Sequence, residues 1–174
     1  MIEINNLTTV QRIDEEFLKK IAQKVLEGES AIRQLAERKE ESNLSIALVG
    51  QGRIRELNKR YRGKNRVTDV LAFPNKDYNP PTTSSQPSVG PLGLGEIVIC
   101  LREVKKNAKK FSSTFEKELV RVLIHGILHL LGYDHEKGEK TAKEVEETKV
   151  SSSPFAAARV MEGKQNYYLK LFFK

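Results

Sequence analysis

The sequence of 174 residues contains one cysteine, Cys100, so no disulfide can close within the chain. A lone thiol suits a reducing compartment and points to the cytoplasm. Long apolar runs are missing too. Nothing approaches the roughly 20 residues that a membrane-spanning helix needs, which excludes that class of membrane protein. The first ten residues, MIEINNLTTV, lack the basic flank and apolar stretch of a secretory signal. Acidic residues are in deficit, 23 Asp and Glu against 30 Lys and Arg, for a formal charge of +7. Histidine is scarce: there are three, and all fall between positions 125 and 135.

What remains is the material of one globular domain with its own core. Ile2 and Ile4 alternate with polar residues as in a short edge strand. Asp14 caps a helix whose apolar face is Phe17, Leu18, Ile21, Ala22, Val25 and Leu26. Gly28 interrupts it, and a charged segment runs on to about Glu41. Strands are expected over 44–49, 70–73 and 95–100, and an amphipathic helix carries Ile54, Leu57 and Tyr61 as far as Gly63. Residues 74–94, rich in Pro, Ser, Thr and Gly, form a long loop. A basic helix covers 101–111. Ser113 and Glu116 then make a capping box for a helix over 114–131 that is apolar on nearly every side, the mark of a buried central helix. A further helix covers about 139–149. Ser151 to Pro154 lead into an amphipathic tail. The alternation predicts an α+β fold, one mixed sheet of about four strands flanked by helices. The expected organisation is a single domain over 1–150 and a tail over 151–174. The tail docks on the domain or on a second copy, and is dispensable for metal binding.

Only Arg121, His125 and His129 interrupt the apolar run in the second half of that central helix. Residues four apart share a helix face, so His125 and His129 aim two imidazoles at one point. Gly132 lets the chain turn, and His135 follows close enough to supply a third ligand. The pattern H-x3-H-x2-G-x2-H is the ligand spacing of certain zinc proteases. Three protein ligands leave a fourth position open for chemistry, whereas structural zinc usually takes four ligands with cysteine among them. One zinc ion per chain is the expected cofactor. The proteases place a glutamate general base directly after the first histidine. Here that position is Gly126, which disfavours peptide hydrolysis.

Charge is concentrated as well. Arg53, Arg55, Lys59, Arg60, Arg62, Lys64 and Arg66 face a single acid, Glu56, within fourteen residues. Lys105, Lys106, Lys109 and Lys110 form a second cluster that reads as a solvated helix face. The first cluster is dense enough to follow a nucleic-acid backbone.

Together these residues resemble the YbeY family of bacterial metal-dependent endoribonucleases. HGILHLLGYDH, residues 125–135, is similar to that family's signature. LNKRYRGKNRVTDVLAFP, residues 57–74, resembles its second hallmark, and GEIVI, residues 95–99, resembles its G-[DE]-I-V-I strand. The resemblance covers about residues 44–148 in the family's order. It implies zinc held by His125, His129 and His135, and an arginine, Arg62, facing the metal. The implied substrate is single-stranded RNA, with ribosomal RNA 3′-end maturation and ribosome quality control as the setting and a ribosomal subunit as partner. Three features depart from the pattern: Ala72 stands where serine is usual, residues 78–93 make a longer loop, and the tail after Val150 is unlike the usual short acidic ending.

Arg55, Lys59 and Lys64 are the expected substrate-binding residues, and Arg62 the catalytic one. Arg121 pairs with a helix acid or reaches phosphate. Asp134 orients an imidazole, caps a turn or takes a proton. Asp69 is another acid that could support a ligand, and Tyr133 either stacks on a base or packs on the turn at Gly132. Two other readings stand beside the nuclease: an RNA-binding ribosome assembly factor with a mainly structural metal, and a metallopeptidase.

Overall fold

The computed structural model describes residues 1–8, 12–29, 43–75, 93–133 and 154–173. The expected segments at 30–41 and 139–149, most of the 74–94 loop, Asp134 and His135 therefore lie outside the described residues.

The elements are β1 (Ile2–Asn6), α1 (Glu15–Gly28), β2 (Asn43–Val49), α2 (Gln51–Arg62), β3 (Val70–Pro74), β4 (Gly93–Cys100), α3 (Leu101–Lys110), α4 (Phe115–Leu130) and α5 (Pro154–Phe172). The four strands form one mixed sheet in the order β1-β2-β4-β3. β1 runs parallel to β2 and β2 parallel to β4, while β3 closes the other edge antiparallel, with Val70 opposite Ile99. The α+β fold with a buried central helix is thus as the sequence implies.

Period-two alternation sorts the strand residues onto two faces. Leu44, Ile46, Leu48, Ile97 and Ile99 point to the larger core, where they meet Ile21, Val25, Leu123, Ile124 and Ile127 of α1 and α4. Ala47, Val49, Val98, Cys100 and Leu71 point to the opposite face, covered by Ile54 of α2. Cys100 is fully buried, and burial pushes its thiol pKa up, as suits a small core residue.

α1 is capped by Asp14, whose carboxylate accepts from the Phe17 amide at 2.9 Å. The cap of α4 differs from the expected box. Thr114, not Ser113, is the capping residue, accepting from the Lys117 amide at 3.2 Å. Ser113 is consumed in ending α3. Its amide donates to the Ala108 carbonyl and the Ser112 amide to Lys109, with Ser112 left-handed at φ 51°. That double closure is how a helix stops through a left-handed residue, and it moves the start of α4 by one position.

α4 is the hub. Leu119, Val120, Leu123, Ile124, Ile127 and Leu128 are all buried within it. At Gly126 it lies close on the sheet, where a Cβ would sit 2.9 Å from Ile97 Cγ2. The glycine lets the histidine-bearing turn of α4 lie directly on β4. α5 packs against α4 through Met161, Tyr168 and Leu169, which join the same core. Among the described residues, no helix is long and apolar enough to cross a membrane.

Candidate functional site

His125 and His129 stand one turn apart on α4, each half-buried, with Nε2 atoms 3.1 Å apart. The rings meet edge to face, centroids 4.6 Å apart. Two imidazole nitrogens bound to one tetrahedral metal at about 2.0–2.1 Å would lie about 3.3 Å apart. The donor set therefore fits a divalent metal accepted by imidazole. His135, the third residue of the pattern, lies outside the described residues, as does Asp134.

The two rings form part of the wall of a cleft of about 210 Å³, lined also by Asn58, Arg62, Lys64, Arg66, Thr68, Asp69 and Ala72. The loop that carries the cations owes its shape to the end of α2. Gly63 is left-handed at φ 67°, and the Gly63 and Lys64 amides donate to the Lys59 and Asn58 carbonyls. Asn58 is buried, and its side-chain amide donates to the Arg66 carbonyl at 2.8 Å, drawing the loop back over the helix. The loop thus places Arg62, Lys64 and Arg66 along the same cleft as the histidines. The apolar periodicity of α2 overlooks Asn58, a buried polar residue on the face of Ile54.

Of the expected RNA-binding residues, Lys64 lines this cleft, whereas Arg55 and Lys59 do not. Arg55 donates through Nε to Asn65 Oδ1 at 2.8 Å, bracing the same loop from outside. Arg66 lines the cleft, and its membership in a cationic cluster was its only sequence signal. Asp69 is engaged in the fold: its carboxylate accepts from the Val70 amide at 3.0 Å and from Asn107 at 3.1 Å. Arg121 lies 3.5 Å from Glu118, one turn back on α4, which is the helix pair among its two readings. Burial raises the Glu118 pKa above the carboxylate norm, against the pull of Arg121. Ala72 is buried in the cleft wall. Gly126 also lines the cleft, and a side chain there would press its Cβ to within 2.9 Å of Ile97 Cγ2.

Behind the histidines lies a cluster that sequence spacing does not announce. Glu29, 2% exposed, accepts from the Tyr133 hydroxyl at 2.8 Å, the Tyr168 hydroxyl at 2.8 Å and Lys164 Nζ at 2.9 and 3.0 Å. Burial alone would raise its pKa. Hydrogen bonds from Lys164, Tyr168 and Tyr133 outweigh that and hold it below the ordinary carboxylate value. Tyr133 thus does more than pack on the turn at Gly132. It ties the chain after α4 to α1 and α5, and Lys164 lies 5.1 Å from its ring centre. On α5, Gln165 faces His125: its Oε1 is 3.4 Å from His125 Nδ1 and its Nε2 donates to the Arg121 carbonyl at 3.4 Å. The tail therefore lies on the domain, one of the two placements the sequence leaves open, and it touches the site.

A mixed sheet packed on a central helix, with two histidines and a cationic loop lining one cleft, defines the molecule as an α+β domain with a polar site at that helix. Comparison with known proteins gives the particular family. The family described as Endoribonuclease YbeY matches residues 3–152, and the chain belongs to it. A relative named Endoribonuclease YbeY from Persephonella marina is 38% identical over 142 residues, 82% of this chain and 83% of its own length. Another of that name, from Thermodesulfovibrio yellowstonii, is 46% identical over 102 residues, 59% of each chain. The match thus spans less than two thirds of that relative. The solution structure of a Thermotoga maritima protein aligns with a TM-score of 0.55 at 33% identity, covering 98% of this chain and 87% of that one.

Proposed function

We propose that the protein is a zinc-dependent, single-strand-specific endoribonuclease that acts in the cytoplasm on ribosomal RNA, in 3′-end maturation and ribosome quality control. The observation that carries the reading is the convergence of His125 Nε2 and His129 Nε2, 3.1 Å apart, in a cleft whose other wall holds Arg62, Lys64 and Arg66. Imidazole donors suit zinc, and phosphodiesters suit arginine and lysine. Family membership supports the nuclease activity.

His125, His129 and His135 would hold the ion, which would supply Lewis acidity toward a phosphoryl oxygen and an attacking water. This chain's residues do the rest. Lys64 and Arg66 hold the RNA backbone by charge, and Arg55 keeps their loop in place through Asn65. The planar fork of Arg62 meets negative charge that grows on the phosphoryl oxygens in the transition state. A cleft of only about 210 Å³ favours a strand whose backbone can bend in without a partner strand. Because position 126 carries only hydrogen, and Ile97 occupies the space beside it, the peptidase reading loses its general base.

The test is cleavage of a labelled single-stranded RNA and of its duplex by the zinc-loaded protein, beside His129→Ala prepared identically. The expected result is cleavage of the single strand only, lost in the variant together with bound zinc. RNA binding without turnover in the wild type would favour an assembly factor, and cleavage surviving in His129→Ala would overturn the site.

A further inference from the structure

The family match ends at residue 152, yet α5 reaches into the candidate metal site. Its inward face is Met161, Lys164, Gln165, Tyr168 and Leu169, a spacing of three and four that puts them on one side of the helix. Met161, Tyr168 and Leu169 are buried in the core, and Lys164 and Tyr168 grip Glu29. Gln165 lies in the middle of this anchored face, half-buried, and so has a definite position rather than a surface residue's freedom.

Its two contacts determine each other. The Arg121 oxygen is a backbone carbonyl and can only accept, so the atom facing it at 3.4 Å must be the amide nitrogen. Oε1 then faces His125 Nδ1, also at 3.4 Å. Being a carbonyl oxygen, it too can only accept, so Nδ1 carries the hydrogen. In a neutral imidazole the other nitrogen, Nε2, then carries the lone pair, and it points at the Nε2 of His129. A metal-binding histidine needs this arrangement: one ring nitrogen donating to a carbonyl or carboxylate, the other available to ligate.

We propose that Gln165 is a positioning residue for His125: the C-terminal helix fixes the ring's tautomer and orientation through it, and so completes the metal site from outside the matched family region. The inference rests on the metal-site reading proposed above. It also replaces the sequence-based expectation that the tail is dispensable for metal binding.

The experiment measures Zn²⁺ affinity by chelator competition on the full chain for wild type, Gln165→Met, Gln165→Glu and Tyr168→Phe, with nitrogen NMR of the His125 ring in parallel. Gln165→Met keeps the side chain's bulk but cannot accept, and should weaken zinc binding by about 10–100-fold, the usual cost of losing such a support. Without zinc, its His125 ring should show a mixture of tautomers where wild type shows one. Gln165→Glu retains an acceptor and should bind within a few-fold of wild type or more tightly. Tyr168→Phe, which removes one hydrogen bond to Glu29 but keeps the buried ring and the Lys164 contact that seat the helix, should lower the melting temperature and leave zinc affinity unchanged. In a His125→Ala background, adding Gln165→Met should cost nothing further. Wild-type affinity and a single tautomer in Gln165→Met would overturn the positioning role alone. A wild type that binds no zinc would overturn it together with the site.

Discussion

Replacing Glu29 should unfasten the C-terminal helix. The carboxylate is 2% exposed and has three partners, two tyrosine hydroxyls and one ammonium. Glu29→Leu leaves the Tyr168 hydroxyl buried with no acceptor there, and Lys164 without its counter-charge. Breaking a buried pair in this one-sided way costs about 3–5 kcal/mol. The Lys164 side chain is 34% exposed and can recruit water, so the lower end, about 3 kcal/mol, is the expected loss. For a chain of this size that corresponds to about 6–12 °C in melting temperature. Glu29→Gln keeps the shape and one acceptor and should cost less, about 1–2 kcal/mol. The pH dependence has a definite sign. The folded-state pKa of Glu29 lies below the ordinary value, so its stabilisation is present in full above the unfolded pKa of about 4.3. It is lost as pH falls through the lower, folded value. Thermal or urea unfolding of wild type and Glu29→Gln from pH 8 to pH 3 should show a constant gap down to about pH 5 that then narrows. Unchanged stability in Glu29→Leu, or a gap that widens on acidification, would refute the reasoning.

Three further outcomes are expected. Gly126→Ala should gain about 1 kcal/mol of helix propensity but force a Cβ to within 2.9 Å of the buried Ile97, at a cost of about 1–3 kcal/mol. A net fall in urea midpoint is expected, and a rise would mean that the contact relaxes freely. Arg62→Lys should slow single-turnover RNA cleavage by roughly 10²–10³, with zinc content unchanged and binding only modestly weaker, because the lysine keeps the charge but loses the planar fork. Near-normal cleavage would remove Arg62 from the mechanism. Lys64→Glu with Arg66→Glu should flatten the salt dependence of RNA binding by about 0.7 for each phosphate that is no longer neutralised, whereas Arg55→Gln should act through loop stability, read as a lower melting temperature. An unchanged slope in the double variant would place the RNA elsewhere.

The sequence by itself determined what depends on neighbours along the chain. Asp14 caps α1 because the bond spans three residues, Gly63 and Gly132 stop their helices because each can be left-handed, and His125 and His129 converge because four residues make about one turn. The strand faces and the buried central helix follow from period and apolarity in the same way. Tertiary structure decided everything that needs two distant segments at once. Asn58 is polar by type yet buried, because the loop after α2 offers its side chain the Arg66 carbonyl. Arg55 and Arg66 look alike in a row of cations, but only the folded loop aims one at Asn65 and turns the other into the cleft. Gln165 stands 40 positions from His125, and Glu29 stands 135 from Lys164. No periodicity links residues so far apart. Only the docking of α5 against α4 and the end of α1 brings them within reach, because a hydrogen bond acts over about 3 Å of space and takes no account of distance along the chain.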